Sequence, residues 1–370
     1  MTRKMRSVFA IAVATVFAVV PAARATLVFV RNPLKPVVWV AADDGSGQRR
    51  LAPGSNPHVS PDGQLIAYER RQKANGYRAE LMVAAADGSG SPRRLLANWS
   101  EPFDFDWSPD STTVAAVTGP PALPEPPHVL KRGHLRGQRL MLIDVASGAR
   151  RTIALGFFSG VSFSPDGGRL VYGMAARESF PSRSDVYRAD LSGGAPVRLT
   201  HDHRSLDPLW SPVKPPVCVR APCLQPEAGI VFVKLLGAKR RRYGPKNELY
   251  LMGPSGEGVR RLTHTRVGPL LFGLTPTDWS ADGRRLLAEF GGQDTSYAVT
   301  VNPLSGAQRP VVKAAERGLV GAAISADGST ILAATGGFEP GPRHNVVSVP
   351  YAGGPMTVLA RNAFEPDWNR

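Results

Sequence analysis

Cysteine is nearly missing from this 370-residue chain: only Cys218 and Cys223 occur, with four residues between them. So few cysteines exclude a disulfide-framework fold. A zinc centre there would need two more ligands, and the nearest histidines in sequence are His201 and His203. In an oxidising compartment the simplest reading is one disulfide, Cys218 to Cys223, closing a small loop and contributing roughly 2 kcal/mol. Several catalytic signatures are missing as well. The chain has no Gly-x-Ser-x-Gly, no phosphate-binding glycine loop and no His-Glu-x-x-His, so nothing in it spells a nucleophile elbow or a zincin helix. Long apolar runs are confined to the first 25 residues. Arg3, Lys4 and Arg6 precede an apolar stretch from Val8 to Val20, and Ala23-Arg24-Ala25 follows. About 14 apolar residues are too few to span a bilayer, which needs roughly 20. This is the layout of a cleavable export signal over residues 1–25, and no transmembrane segment is expected afterwards.

Acidic residues are in deficit. Removing Arg3, Lys4, Arg6 and Arg24 from 45 basic residues leaves 41 against 30 acidic ones, a formal +11. Such an excess favours anionic partners. For an exported protein these are an acidic protein face or an acidic envelope component rather than nucleic acid.

What the chain has in quantity is glycine and proline, 38 and 34 residues, which suits short strands and tight turns better than long helices. One motif recurs. Phe163-Ser164-Pro165-Asp166-Gly167 leads into Leu170-Val171-Tyr172, and the pattern returns at Val59-Ser60, Trp107-Ser108, Trp279-Ser280 and Ile324-Ser325. Ser and Asp bond back to nearby backbone, Pro presets φ, and Gly accepts positive φ. Flanked by apolar runs, the motif reads as a β-hairpin. Markers at Ser60, Ser108, Ser164, Ser211, Ser280, Ser325 and Asn369 are spaced 48, 56, 47, 69, 45 and 44 residues apart. A period in the forties with four short strands per unit predicts a β-propeller.

Six internal units are complete. Before the first marker lie three strands, Leu27 to Val30, Val37 to Ala41 and Arg49 to Leu51, without an inner strand. After the sixth unit, Phe364 to Trp368 is an inner strand without followers. Joined, they make a composite blade from both termini. The expectation is therefore an all-β, seven-bladed β-propeller of four-stranded antiparallel blades, six blades being the alternative. Residues 26–370 form one domain, interrupted by insertions at 118–138 and 212–227, and a monomer is expected.

The inner-strand Trp/Phe-Ser-Pro-Asp-Gly, the apolar strand after it, and unit ends such as Arg198-Leu199-Thr200 and Arg261-Leu262-Thr263 resemble the WD-like repeat of TolB-type exported propellers. The same repeat occurs in the propeller domains of prolyl-oligopeptidase-type enzymes. The resemblance implies fold and, for TolB-type proteins, a binding role.

Asp62, Asp110, Asp166, Asp282 and Asp327 recur at one turn position and read as turn organisers, not as catalytic or metal-binding groups. Trp107, Trp210, Trp279 and Trp368 read as packing between blades. Positive charge is concentrated in the loops between second and third strands: Arg70, Arg71, Lys73 and Arg78; Lys131, Arg132, Arg136 and Arg139; and Lys239, Arg240, Arg241, Arg242 and Lys246. These loops open on the same face as the outer-to-inner connections carrying His201-Asp202-His203 and His264. The primary expectation is a non-enzymatic extracytoplasmic binding scaffold without a cofactor or metal, using Arg70, Arg71, Lys131, Arg132, Arg136, Arg240, Arg241, Arg242, His201 and His203. The alternative is a polysaccharide-acting lyase or hydrolase with a site at the channel mouth near His201, His203 and His264.

Overall fold

The computed structural model describes residues 26–71, 79–99, 104–119, 138–175, 183–213, 229–237, 246–267, 271–292, 296–312, 318–336 and 344–369. The export-signal segment, Cys218, Cys223, and the basic residues Lys131, Arg132, Arg136, Arg240, Arg241 and Arg242 lie outside the described residues.

The hairpin motif folds through its own side chains. In the first copy, Ser60 Oγ donates to Asp62 Oδ1 at 2.6 Å and accepts from the Leu65 amide at 2.9 Å. The Ser60 amide meets the Leu65 carbonyl at 2.8 Å. Ser108, Ser164, Ser280 and Ser325 repeat the hydroxyl-to-Asp bond at 2.5–2.6 Å. The recurrent Asp thus holds a turn, and Ser-hydroxyl bonding keeps the Asp166 carboxyl below its ordinary range. The residue after Asp takes positive φ, 73° at Gly63 and 70° at Gly167, with Ser111 standing in at 61°.

All regular elements of the described residues are strands, and their pairings resolve into seven four-stranded antiparallel units. Blade one is Ser55–Val59, Leu65–Arg71, Ala79–Ala85 and Arg93–Trp99. Blade two is Phe105–Trp107, Thr113–Thr118, Gln138–Asp144 and the first part of Arg150–Phe163. That long strand runs on to become the inner strand of blade three, joined there by Arg169–Ala175, Asp185–Asp190 and Val197–Arg198. Blade four is Ser205–Trp210, Ile230–Leu236, Lys246–Met252 and Arg260–Arg261; blade five Leu271–Trp279, Leu286–Gly292, Ser296–Val301 and Gln308–Pro310; blade six Leu319–Ile324, Thr330–Thr335, Asn345–Pro350 and Thr357–Arg361. Single parallel bridges, Asn247 to Gly273 and Tyr297 to Leu319, touch blade four to five and five to six.

The composite sheet has the order Phe364–Trp368, Thr26–Arg31, Val37–Ala42, Arg49–Pro53. Leu27 pairs with Trp368 and Val30 with Phe364, so the two ends of the described chain share one sheet, as their sequence patterns predict.

Apolar clusters fill the space between neighbouring sheets. Leu27 and Phe29 pack on Leu332 and Val346 of blade six, while Val28 and Val38, on the opposite face, pack on Ile66 and Tyr68 of blade one. The remaining five junctions are filled in the same manner. Trp107, Trp210, Trp279 and Trp368 are all buried there. Sheets buried on both faces explain the runs of consecutive buried residues in the second strands, such as Ile66 to Tyr68 and Leu170 to Tyr172.

Candidate functional site

First strands of successive sheets touch one another and form the inner ring. Each chain segment enters its inner strand from the loop face, and the register breaks just inside. The breaks lie between Ser55 and His58, Ser159 and Val161, Leu206 and Leu209, Pro276 and Asp278, and Gly321 and Ala323. Such bulges re-aim a side chain. At this position φ is positive in Asn56 (49°), Gly160 (57°), Asp207 (47°) and Glu365 (47°). The same position, three residues before the large apolar one, holds Asp104 in blade two. Three carboxylates therefore stand at the loop-face end of the inner ring: Asp104, Asp207 and Glu365.

Their environment favours the protonated form. Burial, with smaller contributions from the negative charges of Asp207 and Asp106, pushes Asp104 up to about 7 against the backbone amides of Gly160 and Val161. Burial likewise raises Asp207 to about 6, opposed by the Ser159 hydroxyl, which also accepts from the Asp207 amide at 3.2 Å. Burial raises Glu365, opposed by the Asn56 amide 2.6 Å away. Asp104 and Asp207 are half-buried. Gly160 lies between the first two, and a Cβ there would come within 2.9 Å of the Asp207 Cα. The turn motifs drew the sequence reading away from this position. The signal that could have revealed it is an acid three residues before the large apolar residue in three repeats.

The histidine pair is placed by a different device. Asp185, buried at the start of the third strand of blade three, accepts from Arg198 Nη2 at 2.6 Å, Thr200 Oγ1 at 3.1 Å and the His203 amide at 3.0 Å. His203 Nδ1 lies 2.9 Å from its other carboxylate oxygen. Blade four repeats the grip: Glu248, fully buried, takes Thr263 Oγ1 at 2.5 Å, Arg261 Nη2 at 3.0 Å, Lys246 Nζ at 2.5 Å and the Thr265 amide at 2.8 Å. The Arg-Leu-Thr ending of the repeat is thus a clamp on a buried acid. His203 is part of that clamp, whereas His201 and His264 project into solvent. Among the described residues no group of three or more His, Cys, Asp or Glu is arranged to hold a metal ion.

Arg70 also has a structural partner. It sits opposite Glu80 in register and donates to it through Nε at 2.8 Å and Nη2 at 2.6 Å, with Arg94 adding a third contact at 3.1 Å. Arg71, next to it, is exposed at the strand end. Arg139, which the sequence places in the second basic cluster, is exposed at a strand end of this face, and so are three cations that sequence reasoning passed over, Arg183, Arg204 and Arg266; none of the four pairs with a carboxylate among the described residues. Of the acids nearby, Asp185 and Glu248 are matched by their clamps and Asp202 by Lys234 at 2.6 Å, while Asp104 and Asp207 stand at the inner ring without a cation among the described residues. The arc from blade two to the start of blade five therefore shows net positive charge.

No family model and no curated protein sequence matches the chain. Solved structures do. TolB from Acinetobacter baumannii superposes with a TM-score of 0.52 at 18% identity, covering 92% of this chain and 82% of that one. The β-propeller domain of the Trilobed protease from Pyrococcus furiosus gives 0.60 at 15% identity, over 91% and 92%. An oligogalacturonate lyase in complex with manganese gives 0.55 at 13% identity, over 92% and 86%. The class is thereby defined: this chain is a β-propeller. Its architecture is similar to that of TolB, and also to propellers found in a peptidase and in a lyase. No helix of the described residues is long and apolar enough to cross a membrane.

Proposed function

We propose that the protein is a non-enzymatic extracytoplasmic scaffold that captures an anionic partner, an acidic protein face or an acidic envelope component, on the loop face of its propeller. The observation that carries this reading is the arc formed by Arg139, Arg183, Arg204 and Arg266, exposed on one face without carboxylate partners while Asp185, Asp202 and Glu248 are held by other cations. Guanidinium groups suit such a role because their forked donors match carboxylate and phosphate oxygens. The segments joining the second and third strands of blades two and four leave from the same face, and by sequence they add Lys131, Arg132 and Arg136, and Arg240, Arg241 and Arg242. Export rests on the composition of residues 1–25 and agrees with the likeness to TolB.

The test is capture from the native envelope at low salt, followed by identification of what is retained. The double variant Arg204→Glu, Arg266→Glu and the triple variant Arg240→Glu, Arg241→Glu, Arg242→Glu are expected to retain markedly less. Raising ionic strength is expected to weaken capture by the unmodified chain, since exposed charges are screened within about 8 Å at physiological salt. Undiminished capture by both variants would rule the loop face out.

A further inference from the structure

The repeat supplies internal controls for the junctions between blades, and the junction between blades one and two departs from the five that carry an arginine tie. On the turn face, an arginine from one blade donates to a main-chain carbonyl in the next blade's turn between third and fourth strands. Arg49 reaches Ala86, Arg151 reaches Leu191 at 2.7 Å, Arg188 reaches Pro254 at 3.0 Å, Arg260 reaches Pro303 at 2.7 Å and Arg309 reaches Ala352. Between blades one and two the equivalent residue is Arg93. The match is clear because Arg93-Arg94-Leu95 aligns with Arg260-Arg261-Leu262: the second arginine of each goes to a third-strand acid, Glu80 or Glu248. Yet the exposed Arg93 side chain makes no hydrogen bond or ion pair among the described residues, although it lies near enough to Asp144 to help hold that carboxyl below its ordinary range.

At three other junctions the turn glycine presses on a leucine carbonyl of the preceding outer strand, Gly45 on Leu359, Gly256 on Leu199 and Gly306 on Leu262; here the equivalent carbonyl, that of Leu95, accepts from Arg150 Nη2 at 2.5 Å. At Gly148, the counterpart in blade two, the only atom within reach of an added Cβ is Arg93 Nη1, at 3.8 Å. The turns of blades one and two enclose a cleft of about 400 Å³, within the range of small-ligand sites. Its floor is apolar, with Leu65, Val83 and Val145; Arg93 stands on its wall, with Ser91 and Thr112 beside it.

We propose that this cleft is a binding site for a small carboxylate with a short aliphatic body, anchored by Arg93. An exposed guanidinium that donates to no group of the described chain, above an apolar floor and beside two hydroxyls, is complementary to a carboxylate whose hydrocarbon part is buried. The site is on the opposite side of the ring from the basic loop face and stands independently of the function proposed for that face. Such a carboxylate comes either from a free aliphatic acid or from the C-terminus of a peptide.

Two probes separate these sources in titrations of the full chain followed by NMR: hexanoate and N-acetyl-Ala-Val, each beside its uncharged counterpart, hexanol and the dipeptide amide. Saturable millimolar binding of either acid, at least about tenfold tighter than its uncharged counterpart, is expected, the better acid identifying the source; a charged hydrogen bond is worth about that factor. Arg93→Gln is expected to lower affinity about tenfold and Arg260→Gln to leave it unchanged. A second variant, Ala146→Leu, narrows the cleft with Arg93 intact and is expected to lose binding too. Absence of saturable binding by both acids, or binding indifferent to Arg93→Gln and Ala146→Leu, would overturn the proposal.

Discussion

Asp367 Oδ2 accepts the backbone amide of Val59 at 2.8 Å, across 308 residues of chain. The residue before the large apolar one makes this bond at other junctions too: Asp106 with the Phe163 amide at 2.9 Å, Asp278 with Ile324 at 2.7 Å, and Ser162 with Trp210 at 3.1 Å. These contacts tie each inner strand to the next and fix the rotation between sheets. Asp278 is fully buried and also accepts from the Trp279 amide at 2.8 Å. Replacing it by Ala leaves two buried amides without their acceptor. Asp278→Ala is expected to lose about 3 kcal/mol in chemical denaturation, since each orphaned buried donor costs about 1–3 kcal/mol. Asp278→Asn retains an acceptor oxygen, and its loss should be clearly smaller. Equal stability of Ala and Asn variants would show that the latch contributes nothing.

The Glu248 clamp makes a pH prediction of one sign. Burial pushes this carboxyl up, but Lys246, Thr263 and the Thr265 amide outweigh it, so the group ends below its ordinary range. A carboxyl depressed on folding contributes stability above its unfolded value, and that contribution is lost as pH falls through the folded one. Glu248→Gln should therefore lower stability at pH 7 by about 2 kcal/mol, within the range for losing a charge-assisted hydrogen-bond set. The deficit should shrink as pH falls below about 4, close to the unfolded glutamate value. Urea midpoints of the two proteins across pH 3 to 7 are the measurement; a constant gap would contradict the clamp.

Asp104 gives the opposite slope. Its folded value of about 7 lies above the unfolded 3.8. Between these limits the folded state holds a proton that the unfolded state has released, so stability falls as pH rises from about 4 to 7 and is flat above. Asp207, at about 6, adds to the same trend over a narrower window. Asp104→Asn removes the titration while leaving an oxygen for the Gly160 and Val161 amides. Melting temperatures from pH 4.5 to 7.5 should decline less steeply in this variant than in the parent. Identical slopes would place the Asp104 carboxyl in a solvated position.

The hairpin turns, the third strands and the pairing of the termini were legible because each is coded within a few residues or by a repeated pattern. Ser164 and Asp166 are two positions apart and organise the same turn wherever they recur. The clamps and latches were not legible, because they depend on register. Arg70 reads as a loop-end charge until the pairing sets it opposite Glu80. Asp106 reads as a polar interruption until it meets the Phe163 amide 57 residues on. The histidines showed only a pair in a connection; the Asp185 that claims His203 lies 18 residues earlier, on another strand. The loop-face clusters at Lys131, Arg132, Arg136, Arg240, Arg241 and Arg242 lie outside the described residues.

The excess of positive charge, which in sequence suggests only a partner, has an internal use that can be measured. Arg151, Arg188, Arg260 and Arg309 each cap a turn carbonyl of the following blade, so part of the charge works as a set of ties around the outer edge. Each replaces hydration of a carbonyl with a charged donor, an exchange worth about 1–2 kcal/mol, reduced by the exposure of the arginine. Arg260→Gln is expected to lower the melting temperature by about 2–4 °C, the shift that about 1 kcal/mol gives in a domain of 150–250 residues and an upper value for this longer chain. Arg93→Gln, at the equivalent position without an acceptor, should leave it unchanged. Arg260→Lys should recover little, because an ammonium at the end of a flexible stem lacks the planar fork that spans the junction. If Arg93→Gln and Arg260→Gln destabilise equally, Arg93 has a partner in the folded chain and the ties are uniform around the ring.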